Sequence, residues 1–320
     1  MDITTDCPLN DLVSRASSPS VRIDLARIRS NARSIAAQTG VDLIAVVKAD
    51  AYGCGASRVA ASLAELVTGF YVFSFEEAVE AGLWQVSGKP TIALICESTD
   101  PSDYLAHRVH PAVWDAERAR MLRKARPVVS VDTGMTRFAC PADRVPSVID
   151  AGGCEEAMTH GVTLAHARAL VEALPPGFPR KHAAATALLP EPEAWLDAVR
   201  PGLALYEGAV TVTSPIVEIR RSSGPIGYTG FRAPIHGLIL AGYTNGLRVG
   251  PCRIGEREQQ VLEVGMQSAY VSLSGHEKVG DRVELLSPQL SPARIAMAWK
   301  TSPQEVLTRL TAAGSRHWVE

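Results

Sequence analysis

A (β/α)8 TIM-like barrel followed by a C-terminal, mostly antiparallel β domain is the fold class the sequence predicts. Three observations carry it. Short apolar, β-branched runs alternate with stretches of helical periodicity, the alternation stops after Tyr206, and 320 residues are long for one domain and comfortable for two.

The candidate strands run LIAVVKAD (43–50), FYVFSF (70–75), TIALIC (91–96), HPAVW (110–114), PVVSVDTG (127–134), EAMTHG (156–161), KHAAA (181–185) and AVRPGLALY (198–206). Between them lie segments such as EEAVEAGLW and DAERARMLRKA, whose apolar positions recur at helical spacing. Parallel strands need covering crossovers, so this alternation predicts a parallel sheet. Eight such units are what a closed barrel requires. A doubly wound open sheet is the competing solution, and periodicity alone does not separate the two. Beyond Tyr206, runs such as TVTSPIVEIR, APIHGLILAGY and QQVLEVGMQSAYVSL are punctuated by Gly, Pro and Asn-Gly, with hairpin turns expected at SSGPIG and TNG. Two short helices, SPARIAMAW and SPQEVLTRLTAAG, each open on a serine cap followed by proline. The expected boundary gives a barrel over 1–208 and a β domain over 209–320.

Composition narrows the class. Hydrophobic residues make up 46%, charged residues 21%, and the net charge is −2, which suits a soluble enzyme and argues against a nucleic-acid or membrane surface. No apolar run reaches the roughly 18 residues of a membrane span. MDITTDCPLN has no basic segment leading into an apolar core, so a cytoplasmic location is expected. Cys7, Cys54, Cys96, Cys140, Cys154 and Cys252 are scattered without a CxxC pair, which predicts separate reduced thiols and no metal site.

Lys48 closes the first candidate strand. Alone, a strand-end lysine reads as a solvated terminus; desolvation would instead lower its pKa and free the amine to condense with a carbonyl. Its setting, AVVKADAYGCG, resembles the cofactor-lysine segment of the alanine racemase family, the fold-type III group of pyridoxal-phosphate enzymes. VSVDTGMTRF, MTHG, HAAATA, VRPGLALYEG, AGYTNG and GMQ follow in the family's order and approximate spacing, so the resemblance spans nearly the whole chain from VRIDLARIRSNA onward.

The resemblance implies a barrel plus β domain, pyridoxal 5'-phosphate as cofactor, a small amino-acid substrate, and a homodimer in which each active site is completed by the partner. Lys48 would carry the cofactor and serve one face of the substrate. Tyr52 would donate its hydroxyl to the phosphate, where the plain alternative is a buried structural tyrosine. Thr186, at the family's serine, and the backbone N–H groups of Gly202 and Leu203 would hold the phosphate as well. Arg200 would face the pyridine nitrogen; without the family it reads as a rim ion pair. An arginine has only donors and stays charged, so that nitrogen would remain unprotonated, weakening the ring as an electron sink and favouring return of the proton to Cα. Tyr243 would be the second base, supplied across the dimer, since inversion needs proton transfer on both faces. A tyrosine working as a base at neutral pH needs positive charge nearby, and Arg200, with His160 close by, is the candidate source. GYTNG also reads simply as a hairpin turn. Arg137 and the backbone of Met266 would bind the substrate carboxylate.

Several positions depart from the family pattern. Ser130 stands where many members carry a carbamylated lysine that orients the arginine matching Arg137. Gln267 replaces an aspartate at the substrate entrance, Trp318 a phosphate-binding tyrosine, Ala185 an asparagine and Asn245 an aspartate. These changes leave the Lys48/Tyr243 pair untouched and bear on substrate choice. The leading expectation is interconversion of L- and D-alanine, as in D-alanine biosynthesis for the cell wall. The alternatives are a racemase or related fold-type III enzyme for another amino acid, a decarboxylase included, and a non-catalytic cofactor-binding protein of the barrel-only kind, which would lack the β domain.

Overall fold

The computed structural model describes residues 19–320, and Cys7 lies outside them. The described chain divides into two compact units, one over Ala26–Tyr206 and the other made of Glu207–Glu320 together with the residues up to Leu25.

The first unit is a closed eight-stranded parallel barrel. Its strands, in sequence order around the ring, are β2 (Asp42–Val46), β3 (Gly69–Ser74), β4 (Thr91–Ile95), β5 (Val109–Val113), β6 (Val128–Ser130), β7 (Glu156–Gly161), β8 (Arg180–Ala184) and β9 (Ala198–Val199), counting the N-terminal strand Ser20–Asp24 as β1. The ring closes because β9 pairs in parallel with β2, Asp42 against Ala198 and Leu43 against Val199. The open-sheet alternative is thereby excluded. Each run expected from the sequence supplies one strand, and all but EAMTHG (156–161) are cut back at the C-terminal end: β6 stops at Ser130 and β9 is only two residues long. The interior is a layer of Ile44, Ile92, Ala112, Val128, Met158 and Ala198, against which Tyr71 and Leu94 pack. A barrel of eight strands is just wide enough for such a layer to fill it, which makes it a core rather than a pore. Serine and aspartate caps start the outer helices: Ser74 accepts from Glu77 N, and Asp115 from Arg118 N.

The second unit is built on the long strand β10 (Val210–Arg221), followed by β11 (Ile235–Ile239), β12 (Gly250–Ile254), β13 (Arg257–Val264), β14 (Ala269–Ser272), β15 (Arg282–Leu286) and β16 (Ser315–Val319). Its order is β11-β14-β13-β12-β15-β10-β1-β16, and β10 also pairs with β11, so six antiparallel strands close on themselves. Strand β1 lies in this unit, antiparallel to β10 and parallel to β16. The sequence reading placed these residues with the barrel; their alternating pattern is satisfied by partners almost 190 residues or more away, which local periodicity does not reveal. The two tail helices are Pro292–Trp299 and Pro303–Thr311, capped by Ser291 and Ser302 as expected. GYTNG is not a hairpin. β11 and β12 are not neighbours, and Tyr243–Asn245 forms a 3-10 turn that ends on Gly246 at φ 77°. Cys54, Cys96, Cys140, Cys154 and Cys252 are buried free thiols, as expected. Among the described residues no helix is long and apolar enough to cross a membrane, and no group of His, Cys, Asp or Glu is arranged to hold a metal ion.

Candidate active site

The C-terminal ends of the barrel strands gather the polar groups of residues 26–206 singled out above. β2 ends at Val46, and the chain then does something its residue types do not favour. Ala49, Asp50, Ala51 and Tyr52 turn left-handed in succession, with φ of 53°, 52°, 55° and 57°. Each L-residue in that conformation costs roughly 1–2 kcal/mol, so the turn needs external restraint. Backbone bonds close it, Ala51 N to Val47 O at 2.8 Å and Gly53 N to Ala49 O at 2.9 Å. The Asp50 carboxylate accepts from Ala56 N at 2.7 Å. Glu77 fastens it to β3, its carboxylate accepting from Ala49 N at 2.9 Å and from Phe73 N at 2.8 Å.

Lys48 sits half-buried at the head of this turn. Burial lowers the pKa of its amine, Arg137 and Arg200 lower it further, and Glu77 opposes them. Four residues on, Tyr52 is 9% exposed and its ring lies 5.0 Å from that of Tyr206, whose hydroxyl donates to Val46 O at 2.9 Å. Burial pushes the Tyr52 phenol up to about 12, so it stays protonated and able to donate. Its hydroxyl reaches Gly202 so closely that a Cβ there would collide with it. The Thr186 hydroxyl accepts from Gly202 N and Ala204 N, each at 3.2 Å, and Leu203 opens the 3-10 turn Leu203–Tyr206. Tyr52, Thr186, Gly202 and Leu203 therefore form one small cradle of hydroxyl and backbone groups.

Arg200 follows β9 and is 5% exposed. Its Nη2 donates to Thr159 O, its Cζ lies 5.0 Å from the centre of the Tyr71 ring, and its Nε is buried without a partner. A buried guanidinium N–H left unpaired is costly. His160, near the end of β7, is brought down to about 4 by partial burial and by Arg200, Lys48 and Arg137, so its ring is neutral. Arg137 is exposed on the loop after β6. That loop is held by the Asp132 side chain and by backbone: Asp132 Oδ1 accepts from Gly134 N at 2.9 Å and Thr136 N at 3.0 Å, while Cys140 N donates to Ser130 O at 2.6 Å.

Tyr243 and Met266 are brought together in the second unit. Thr244 N and Thr244 Oγ1 donate to Met266 O at 3.1 and 2.8 Å, and a Cβ on Gly242 would strike that same carbonyl. Both side chains are open, Tyr243 at 56% and Met266 at 60%. Asn245 braces the turn, its Oδ1 accepting from Gly242 N at 3.0 Å and its Nδ2 donating to Ala313 O at 2.7 Å. Trp318 lies on β16 opposite Ile23, and Gln267 is exposed beside Met266.

Two residues at the mouth were invisible to the motif reading. Tyr71 looked like one more aromatic in a strand. Glu77 looked like a helix-face acid, although Ser74-x-x-Glu77 carries the S-x-x-E signature of a helix start and could have marked it.

The family described as "Alanine racemase, N-terminal domain" matches residues 23–209. An alanine racemase of Azoarcus sp. (strain BH72) is 31% identical, with 89% of this chain and 95% of that protein covered. The catabolic alanine racemase of Pseudomonas aeruginosa is 27% identical over 90% and 95%. The crystal structure of the biosynthetic alanine racemase from Pseudomonas aeruginosa shares the fold, with a TM-score of 0.85 at 24% identity over 95% of this chain and 99% of that one. With that domain matched across the barrel and a 31% identical relative aligned over most of its length, the chain belongs to the alanine racemase family.

Proposed function

We propose that this protein is a pyridoxal-phosphate-dependent amino-acid racemase that interconverts L- and D-alanine, with Lys48 and Tyr243 as its two bases. The observation that carries the cofactor reading is the buried, unpartnered Nε of Arg200, a donor that suits a ring nitrogen acting as acceptor. The cradle adds to it, because Gly202 leaves room beside the Tyr52 hydroxyl that any side chain would close. Tyr52, Thr186, Gly202 and Leu203 would hold the phosphate. The charge balance agrees: Arg137 and Arg200 both act on Lys48, with Glu77 the opposing carboxylate.

When bound, pyridoxal phosphate supplies an electron sink that makes the Cα proton of an amino acid removable. The residues of this chain do the rest. Lys48 Nζ, shifted toward its neutral form, takes or returns the proton on one face. Tyr243 Oη acts on the other face. Arg137 and the Met266 backbone would orient the substrate carboxylate, and Arg200 would hold the ring nitrogen while keeping its positive charge. His160, held neutral, adds no further charge. Tyr243 and Met266, adjacent and exposed, suit delivery to a second copy of the chain, so the working unit is a homodimer with shared sites. A cytoplasmic enzyme supplying D-alanine for cell-wall synthesis is the corresponding role.

Purified protein with pyridoxal phosphate should exchange the Cα hydrogen of alanine with solvent deuterium while the D- and L-forms interconvert. Absence of exchange across a panel of small amino acids would sink the reading. A different amino acid is the second reading, favoured by Gln267, Trp318 and an aromatic group in which the rings of Phe73 and Trp114 lie 6.1 and 5.9 Å from that of Phe138. The same panel decides it, and carbon-dioxide release would reveal a decarboxylase.

A further inference from the structure

Arg200 poses a problem that the site as described does not solve. It is 5% exposed, and among the described residues no carboxylate lies within ion-pair distance of it. A guanidinium does not shed its proton, and a buried cation with no acid beside it is expensive unless another group faces it. Two groups do. Thr159 O accepts from Nη2, and Tyr71 meets the guanidinium both through its ring, 5.0 Å from Cζ, and through its hydroxyl, with the Glu156 carboxylate acting on Arg200 from beyond ion-pair distance.

Tyr71 is well placed to be firm. Its ring packs on the apolar layer of the barrel, and its backbone carbonyl accepts from Val47 N at 3.0 Å, one residue before Lys48. We propose that Tyr71 is a positioning residue for Arg200. Its ring face holds the buried guanidinium so that Nε stays turned toward an incoming neutral acceptor, of which a pyridine nitrogen is the class; the inference rests on the cofactor reading for the identity of that acceptor. An aromatic face attracts a cation through its quadrupole without neutralising it. Burial raises the Tyr71 phenol and keeps it uncharged, which agrees with this role. Arg200 therefore keeps its full charge, and Lys48 and His160 both feel it. A carboxylate in the place of Tyr71 would hold the arginine equally well but would cancel that charge.

The test separates ring from hydroxyl and positioning from packing. Tyr71→Phe keeps the ring face; Tyr71→Leu removes it, with Tyr71→Met as the substitute if the leucine variant fails to fold by circular dichroism. In cofactor-free full-length protein, the 15N-labelled Arg200 Nε–H signal, assigned by its loss in Arg200→Lys, should be equally protected from exchange in the native protein and Tyr71→Phe. It should exchange about tenfold faster in Tyr71→Leu. Titration with pyridoxal phosphate should give a Kd within about threefold of native for Tyr71→Phe and about tenfold weaker for Tyr71→Leu, in line with the strength of a desolvated cation–π contact. Native protection and native affinity in Tyr71→Leu would overturn the proposal, as would equal loss in Tyr71→Phe. If the native protein does not take up pyridoxal phosphate at all, the cofactor reading falls, while the Arg200 exchange rates still decide what Tyr71 does.

Discussion

The two ends of the barrel are made of similar residues and are treated in opposite ways. At the N-terminal end of the strands, each charge described is matched. Arg180 bonds Asp42 at 2.6 Å and Glu156 at 2.9 Å, Glu156 also binds the fully buried His182 at 3.0 Å, and Lys181 meets Asp197 at 3.3 Å. At the C-terminal end, Arg137 and Arg200 both bear on Lys48, a guanidinium N–H has no partner, and four residues sit in left-handed backbone. One end pairs its charges, although Nδ1 of the buried His182 and Oγ1 of the buried Thr91 there have no partner. The other crowds like charges together, which is where such folds carry their chemistry.

Lys48→Ala breaks the contrast most sharply. It should lower racemisation by at least about 10³-fold, the scale of losing a nucleophilic and proton-transferring group. Its Tm should hold or rise, because a desolvated amine between two guanidinium groups is removed; a clear fall in Tm would mean that Lys48 holds the fold. Acid sharpens the other side. His182 is brought down to about 4, burial being the chief cause, whereas an unfolded histidine titrates near 6.5. The unfolded chain therefore binds a proton that the folded one refuses. The stability from this group is complete above about pH 6.5 and is lost as pH falls toward 4, by on the order of 3 kcal/mol. Glu156, which burial would raise, is instead drawn to about 2 by His182 and Arg180, and it extends the loss from about pH 4.5 downward. Urea unfolding at pH 7, 5.5, 4 and 3 measures both, and His182→Asn should flatten the upper part of the curve. The smallest effect expected is at the cradle. Gly202→Ala pushes a Cβ into the Tyr52 hydroxyl, and overpacking on the scale of 1–3 kcal/mol should weaken pyridoxal-phosphate binding about tenfold in a fluorescence titration, with a change in Tm of only a few degrees.

The eight barrel strands were legible in the sequence because each is an apolar, β-branched run bounded by loops, and that signal is local. The cradle residues and Arg200 were legible only as motif positions; periodicity gave Arg200 no more than a place on the rim. What stayed hidden depends on distant partners or defies propensity. Strand β1 finds its neighbours at the far end of the chain, Tyr71 acquires its role only when β3 and β9 stand in the same ring, and Asn-Gly ends a 3-10 turn where a hairpin was expected. The turn at 49–52 is the hardest case, since it holds no glycine and three of its four residues are ordinary helix or strand formers.

That turn has a consequence in terms of handedness. The left-handed region near φ +55° is the mirror image of the right-handed helix that L-residues favour, so it is the conformation a D-residue favours. A synthetic chain carrying D-alanine at positions 49 and 51 would accept this backbone with little strain. Next to the lysine proposed to move protons between mirror-image amino acids, the protein has bent its own L-residues into the shape that their enantiomers prefer.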